Sequence, residues 1–143
     1  KLWLGNALAV VTKSVGISMK HLAILLAFLM VFSPPATAED LDKGIAALQS
    51  GDYATAVNEL IPLAKAGNAS AQGVLGIMYF KGQGVLLDKN LAHMWFNISS
   101  ANGSKVSREH RDIIAKEMTT EDIDKAQNLA RQCMSSGYTK CAY

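Results

Sequence analysis

The amino-acid sequence predicts an all-α chain: a short α-solenoid of antiparallel helical hairpins, about six helices in all. Three observations carry this expectation. From residue 39 onward apolar residues recur at i, i+3 and i+4, and no clear two-residue alternation appears. Only three prolines occur in 143 residues, at positions 34, 35 and 62. The apolar stretches are short, and Gly, Asn or Ser-Gly-Asp closes most of them, as tight turns between helices require.

The helical part is preceded by a different pattern. In "MKHLAILLAFLMVFSPPATAED", Met19-Lys20-His21 forms a short basic segment and Leu22 to Phe32 an apolar run of 11 residues. Pro34 and Pro35 break the run, and Ala36-Thr37-Ala38 has the small-x-small form of a cleavage site. This is the layout of a secretory signal peptide. The run is too short to cross a bilayer, which takes about 20 residues. The expected organisation is therefore a signal peptide over 19–38, cleaved after Ala38, and a helical repeat domain over 39–143. Residues 1–18 are read as an extension upstream of a true start at Met19, or as a longer basic segment of the signal. The expected destination is secreted or periplasmic, with no membrane attachment after removal of the signal.

Within 39–143 each helix has its own signature. The first, about 40–49, carries Leu41, Ile45 and Leu48 on one stripe and stops at Ser50-Gly51-Asp52. The second, about 53–66, carries Tyr53, Ala56, Val57, Leu60, Ile61 and Ala64, with Pro62 predicting a kink near its end. The third, about 69–80, has Ala71, Leu75, Met78 and Tyr79 as its main stripe. The fourth, about 88–101, begins at Asp88, whose carboxylate can cap free N–H groups, and carries Leu91, Ala92, Trp95, Phe96 and Ser99. The fifth, about 107–117, has Ile113, Ile114 and Met118. The sixth opens on a capping-box pattern of Thr119 with Asp122, followed by Ile123, Ala126, Leu129, Ala130 and Cys133.

Gly82 and Gly84 stand between the third and fourth helices. They allow positive φ where one helix ends and the chain turns back. A phosphate loop would need a preceding strand and Gly-Lys-Ser/Thr chemistry, and Asp88 would repel an anion. Gly76 lies in mid-helix, at a cost of about 1 kcal/mol against Ala, which a close neighbour would explain. Trp95 is expected to be a large buried contact.

The residues Ala71-Gln72, Leu75-Gly76, Met78-Tyr79, Gly82-x-Gly84-Val85, Asp88, Ala92, Trp95 and Gly103 stand in order within Ala69 to Ser104. That segment resembles a Sel1-like repeat of the secreted bacterial type, a relative of the tetratricopeptide repeat. The preceding "GDYATAVNELIPLAKAGNASAQ" looks like the second half of an earlier repeat. The stretch of about 105–136 is similar to the helical pair that closes bacterial chains of this kind. Ser99-Ser100 departs from the two alanines usual there, and Leu87 from a polar residue. The resemblance implies an adaptor that binds a protein or peptide partner. It also offers two alternatives. One is β-lactam binding or hydrolysis, known among disulfide-rich secreted members; the repeat-by-repeat cysteines of those members and a Ser-x-x-Lys are missing here. The other is a structural subunit of a larger helical assembly.

Charge and chemistry fit binding better than catalysis. Residues 39–143 hold 11 Lys and Arg against 12 Asp and Glu, a net charge near −1. No basic patch with interleaved aromatics appears, so nucleic acid is not an expected partner. No catalytic set, cofactor motif or metal-ligand spacing stands out. His93 is read as a helix-face or boundary residue, and Arg108 with Asp112 as an i,i+4 pair on a solvated face. Cys133 and Cys141 are read as a disulfide, with Gly137 turning the tail back. A second stripe on the third helix, Gly73, Ile77 and Phe80, is either covered by neighbouring helices or forms a partner groove.

Overall fold

The computed structural model describes residues 38–143; the segment 1–37, which carries the upstream extension and most of the signal-peptide reading, lies outside the described residues. Six helices follow in order: α1 (Ala38–Ser50), α2 (Tyr53–Lys65), α3 (Ala69–Lys81), α4 (Lys89–Ala101), α5 (Lys105–Ala115) and α6 (Thr120–Ser135). Among the described residues no strand occurs. Over the described residues the chain is the all-α, short solenoid of helical hairpins that the sequence predicts.

Five of the six helix starts are set by one side chain each. Asp52, Asn68, Asp88, Ser104 and Thr119 stand at the N-caps of α2 to α6 and accept backbone N–H groups of the first turn. Such a cap is worth about 1 kcal/mol. Ser104 explains why α5 begins at residue 105, two residues before its expected start. Pro62 lies inside α2 with an exposed ring, and the helix continues past it to Lys65. Its carbonyl still accepts the Ala66 N–H at 3.0 Å.

Packing follows the hairpin plan for the first four helices. α1 lies on α2, α2 on α3, and α3 on α4. The third pair departs from the plan: α5 and α6 both rest on α4 and not chiefly on each other. The reason is the character of α4, where Ala92, Met94, Trp95, Phe96 and Ile98 are all buried. A helix apolar on nearly every side demands cover on nearly every side. The core is continuous, from Ala47 and Leu60 through Leu75 and Met78 to Trp95, Ala130 and Cys133.

Glycine sets two close approaches in this core. A Cβ on Gly76 would stand 2.7 Å from the Phe96 ring, so the ring lies directly on the α3 backbone. A Cβ on Gly44 would stand 3.0 Å from Leu60. Both glycines are buried, and the contacts offset their poor helix propensity.

The chain beyond α6 folds back on itself. Gly137 and Tyr138 both adopt the left-handed conformation, with φ of 61° and 62°. This reversal lets Cys141 bond to Cys133, with Cα atoms 4.5 Å apart. The tail then covers the buried indole: the Tyr143 ring lies 5.4 Å from that of Trp95, and Lys65 Nζ sits 4.6 Å over the Tyr143 ring. No helix among the described residues is long and apolar enough to cross a membrane.

Candidate functional site: an apolar groove beside α3

Leu75, Gly76, Tyr79, Gly82, Gly84, Val85, Asp88, Ala92 and Trp95 all lie in the hairpin α3–α4. Gly82 caps α3 in the left-handed conformation with φ 67°, and Gly84 has φ 73°. A Cβ on Gly84 would stand 2.7 Å from Tyr53 Cβ and 3.1 Å from the Tyr53 carbonyl oxygen. The loop therefore presses on the first turn of α2, and Gln83 Nε2 donates to the Tyr53 hydroxyl at 3.2 Å. Val85 packs at the edge of the core. Leu75, Tyr79, Ala92 and Trp95 are buried inside it. Asp88 accepts the N–H groups of Asn90 and Leu91 at 2.8 and 3.0 Å. Its own N–H donates to the Tyr79 carbonyl at 3.0 Å, closing the loop at its base. These contacts are all structural, and the glycine pair is spent on the turn.

The second stripe of α3 faces the space between α3 and α5. Two adjoining hollows of about 230 and 240 Å³ lie there. One is bounded by Ile77, Phe80 and Lys81 of α3, Phe96 of α4, and His110, Ile113 and Ile114 of α5. The other lies toward the starts of both helices, between Ser70 and Val74 on one side and Val106 and His110 on the other. Ile77 and His110 belong to both, so the hollows form one groove. The His110 ring is held against Phe96, with centroids 5.2 Å apart. On the outer rim Val106 is 61% exposed and Ile113 55% exposed, which places apolar surface in water. Ile113, expected inside with Ile114, thus stands on the groove wall, while Ile114 is buried.

Gly73 lines the second hollow together with Ile77 and is itself buried. A Cβ there would stand 2.7 Å from Ser107 Oγ and 3.2 Å from Ser99 Oγ. The glycine makes room for a relay of serine hydroxyls. Ser104 donates to Ser107 at 3.0 Å, Ser107 and Ser99 lie 2.7 Å apart, and Ser99 donates to the Ala69 carbonyl at 2.6 Å. Ser99 thereby ties α3, α4 and α5 at one end of the groove. Nothing in the sequence pattern marks this relay beyond the serines themselves.

A second polar lock was also invisible in the sequence. Gln72 is fully buried, donates to the Ala64 carbonyl at 3.0 Å and accepts from Asn102 Nδ2 at 2.7 Å. The Tyr138 hydroxyl donates to Asn102 Oδ1 at 3.0 Å, which adds the C-terminal tail to the lock.

His93 is a correction: it is buried in α4, with Nδ1 lacking a partner among the described residues. Burial pushes the imidazole below its ordinary value, Arg111 pushes it the same way, and Asp112 opposes them. The charged run on α5 also pairs differently from the i,i+4 expectation. Asp112 pairs with Arg111 at 2.7 Å, and Arg108 Nε donates to Ser100 Oγ at 3.4 Å. Among the described residues no group of three or more His, Cys, Asp and Glu side chains is placed to hold a metal.

A larger hollow, of about 450 Å³, lies by the loop residues Val85, Leu86 and Leu87. Leu86 is 90% exposed and Leu87 62% exposed. Its far wall is Tyr143, so the chain's own tail already occupies part of that surface. Among the described residues the tail does not line the groove beside α3. No protein-family model matches this sequence, and no curated protein sequence matches it.

Proposed function

We propose that this chain is an exported adaptor of the Sel1-like repeat type, which holds a protein or peptide partner in the groove between α3 and α5. The observation that carries the reading is the exposed apolar rim of that groove. Ile113 and Val106 stand in water beside half-buried Ile77 and Phe80, on helices otherwise anchored by buried contacts. Apolar surface held open by a rigid frame supports partner binding, since closing it would remove that surface from water. The Cys133–Cys141 bridge supports an oxidising destination, where such bonds persist.

The test is affinity capture of the tagged chain from its own compartment, beside an Ile113→Glu variant of it. Ile113 is exposed, so the variant keeps the fold while placing a charge in the groove. A partner held by the wild type and released by the variant is the expected result. A partner retained equally by both would move the binding surface elsewhere. Turnover of a β-lactam by the purified chain would overturn the adaptor reading.

A further inference from the structure

Resting on the groove reading, we propose that the occupant is an apolar peptide segment carrying carboxylates, with the acidic side chain set against Lys81. Among the described residues that line the groove only two side chains are ionisable, Lys81 and His110, and none is a carboxylate. Lys81 is exposed at the last turn of α3 and has no acidic partner among the described residues, whereas Lys89 pairs with Glu117 and Lys43 with Glu59. The two acidic residues nearest in sequence to the α5 wall are exposed Glu109 and Asp112, and the latter is taken by Arg111. An incoming carboxylate beside Lys81 meets a cation, while an incoming ammonium there meets like charge, and Glu109 is not part of the lining of either hollow. Complementarity of this kind selects partners more than it raises affinity.

The apolar part of the occupant follows from the two hollows. Along α3 they are centred on residues 73–74 and 79, a spacing of about 9 Å at 1.5 Å per residue. Two apolar side chains at that spacing fill them, one on each side of His110. A segment of that size and character suits a groove this short, where main-chain and side-chain anchors are few.

The test uses the full chain and two fluorescently labelled amphipathic peptides of about twelve residues. They share the same leucine and alanine face; one is flanked by glutamates and the other by lysines. Fluorescence anisotropy is expected to show the glutamate peptide binding about five- to tenfold tighter, a preference that shrinks at about 0.5 M salt. Lys81→Glu should reverse the order, and Ile113→Glu should weaken both peptides. Equal binding of the two peptides, weakened by Ile113→Glu, would overturn the acidic preference and leave the groove reading standing. Binding of neither peptide would remove the groove as a peptide site and the preference with it. Self-association of the chain that Ile113→Glu dissolves, measured by sedimentation, would identify a second copy as the occupant and overturn the proposal. Circular dichroism of each variant checks that the helices are intact.

Discussion

Replacing Gly84 by alanine adds a single methyl group, and the structure assigns it two costs. The first is conformational: at φ 73° an L-residue sits in the left-handed region, at about 1–2 kcal/mol. The second is steric. The new Cβ would stand 2.7 Å from Tyr53 Cβ and 3.1 Å from the Tyr53 carbonyl oxygen, and 3.3 Å from Val57 Cγ2. Two of these atoms belong to a helix's first turn and cannot rotate away, so relief requires backbone movement, typically about 1–3 kcal/mol. Together the loss is about 2–5 kcal/mol. Gly51 separates the two costs, because its φ is 82° and nothing lies within 4 Å of an added Cβ. Gly51→Ala should show the conformational cost alone. Gly82→Asn should cost under about 1 kcal/mol, since asparagine tolerates the left-handed region and the nearest contact is the Leu87 side chain at 3.2 Å. Urea and thermal unfolding followed by far-ultraviolet circular dichroism rank the three. Gly84→Ala should lower Tm by at least about 10 °C, and failure to fold would be the same ordering at its extreme. If Gly84→Ala and Gly51→Ala are equally stable, the loop does not bear on α2 and the steric reasoning is wrong.

Three further outcomes follow from the core, the tail and the buried imidazole. Trp95→Ala removes a fully buried indole and should cost about 3–5 kcal/mol, read by urea unfolding. Alkylation of the native chain should find both cysteines blocked until reductant is added; Cys141→Ser opens a bridge of sequence separation 8 and should cost about 2–3 kcal/mol. His93, with its folded pKa lowered from 6.5, contributes stability that is complete above that value. It is lost as pH falls from 6.5 toward the lower folded value, because the unfolded chain takes up the proton first. His93→Leu should flatten the stability profile between about pH 7 and 5; an unchanged slope would show that another group titrates there.

Local chemistry made the helix ends legible. Asp52, Asp88 and Thr119 announce themselves because capping needs only a short polar side chain within three residues of the free N–H groups. Gly82 and Gly84 were legible for a similar reason, and so was the Cys133–Cys141 bridge. What periodicity could not show was how α4 divides its faces. Its spacing marked Leu91, Ala92, Trp95, Phe96 and Ser99 as one stripe, yet His93, Met94 and Ile98 are buried as well. A helix that serves three neighbours has no single apolar face to detect. The groove was half legible: Ile77 and Phe80 stood out as a second stripe, but the wall opposite depends on where α5 settles. That Gly73 also makes room for serines was not legible, because Ser99 and Ser107 come from two other helices. The Gln72–Asn102–Tyr138 lock joins residues 30 and 36 positions apart, a relation no short window contains.

The crowding around α4 has a consequence for how the chain comes apart. In a long solenoid each repeat touches only its neighbours, and an end can fray while the rest persists. Here α3, α5 and α6 share one supporting helix, and the bridged tail lays Tyr143 on the same Trp95. Peeling either α5 or α6 away would uncover a helix on which the other also depends. The last four helices should therefore open as one cooperative block, with the slow-exchanging amides of α4 reporting global unfolding and only α1, which rests mainly on α2, free to open ahead of it.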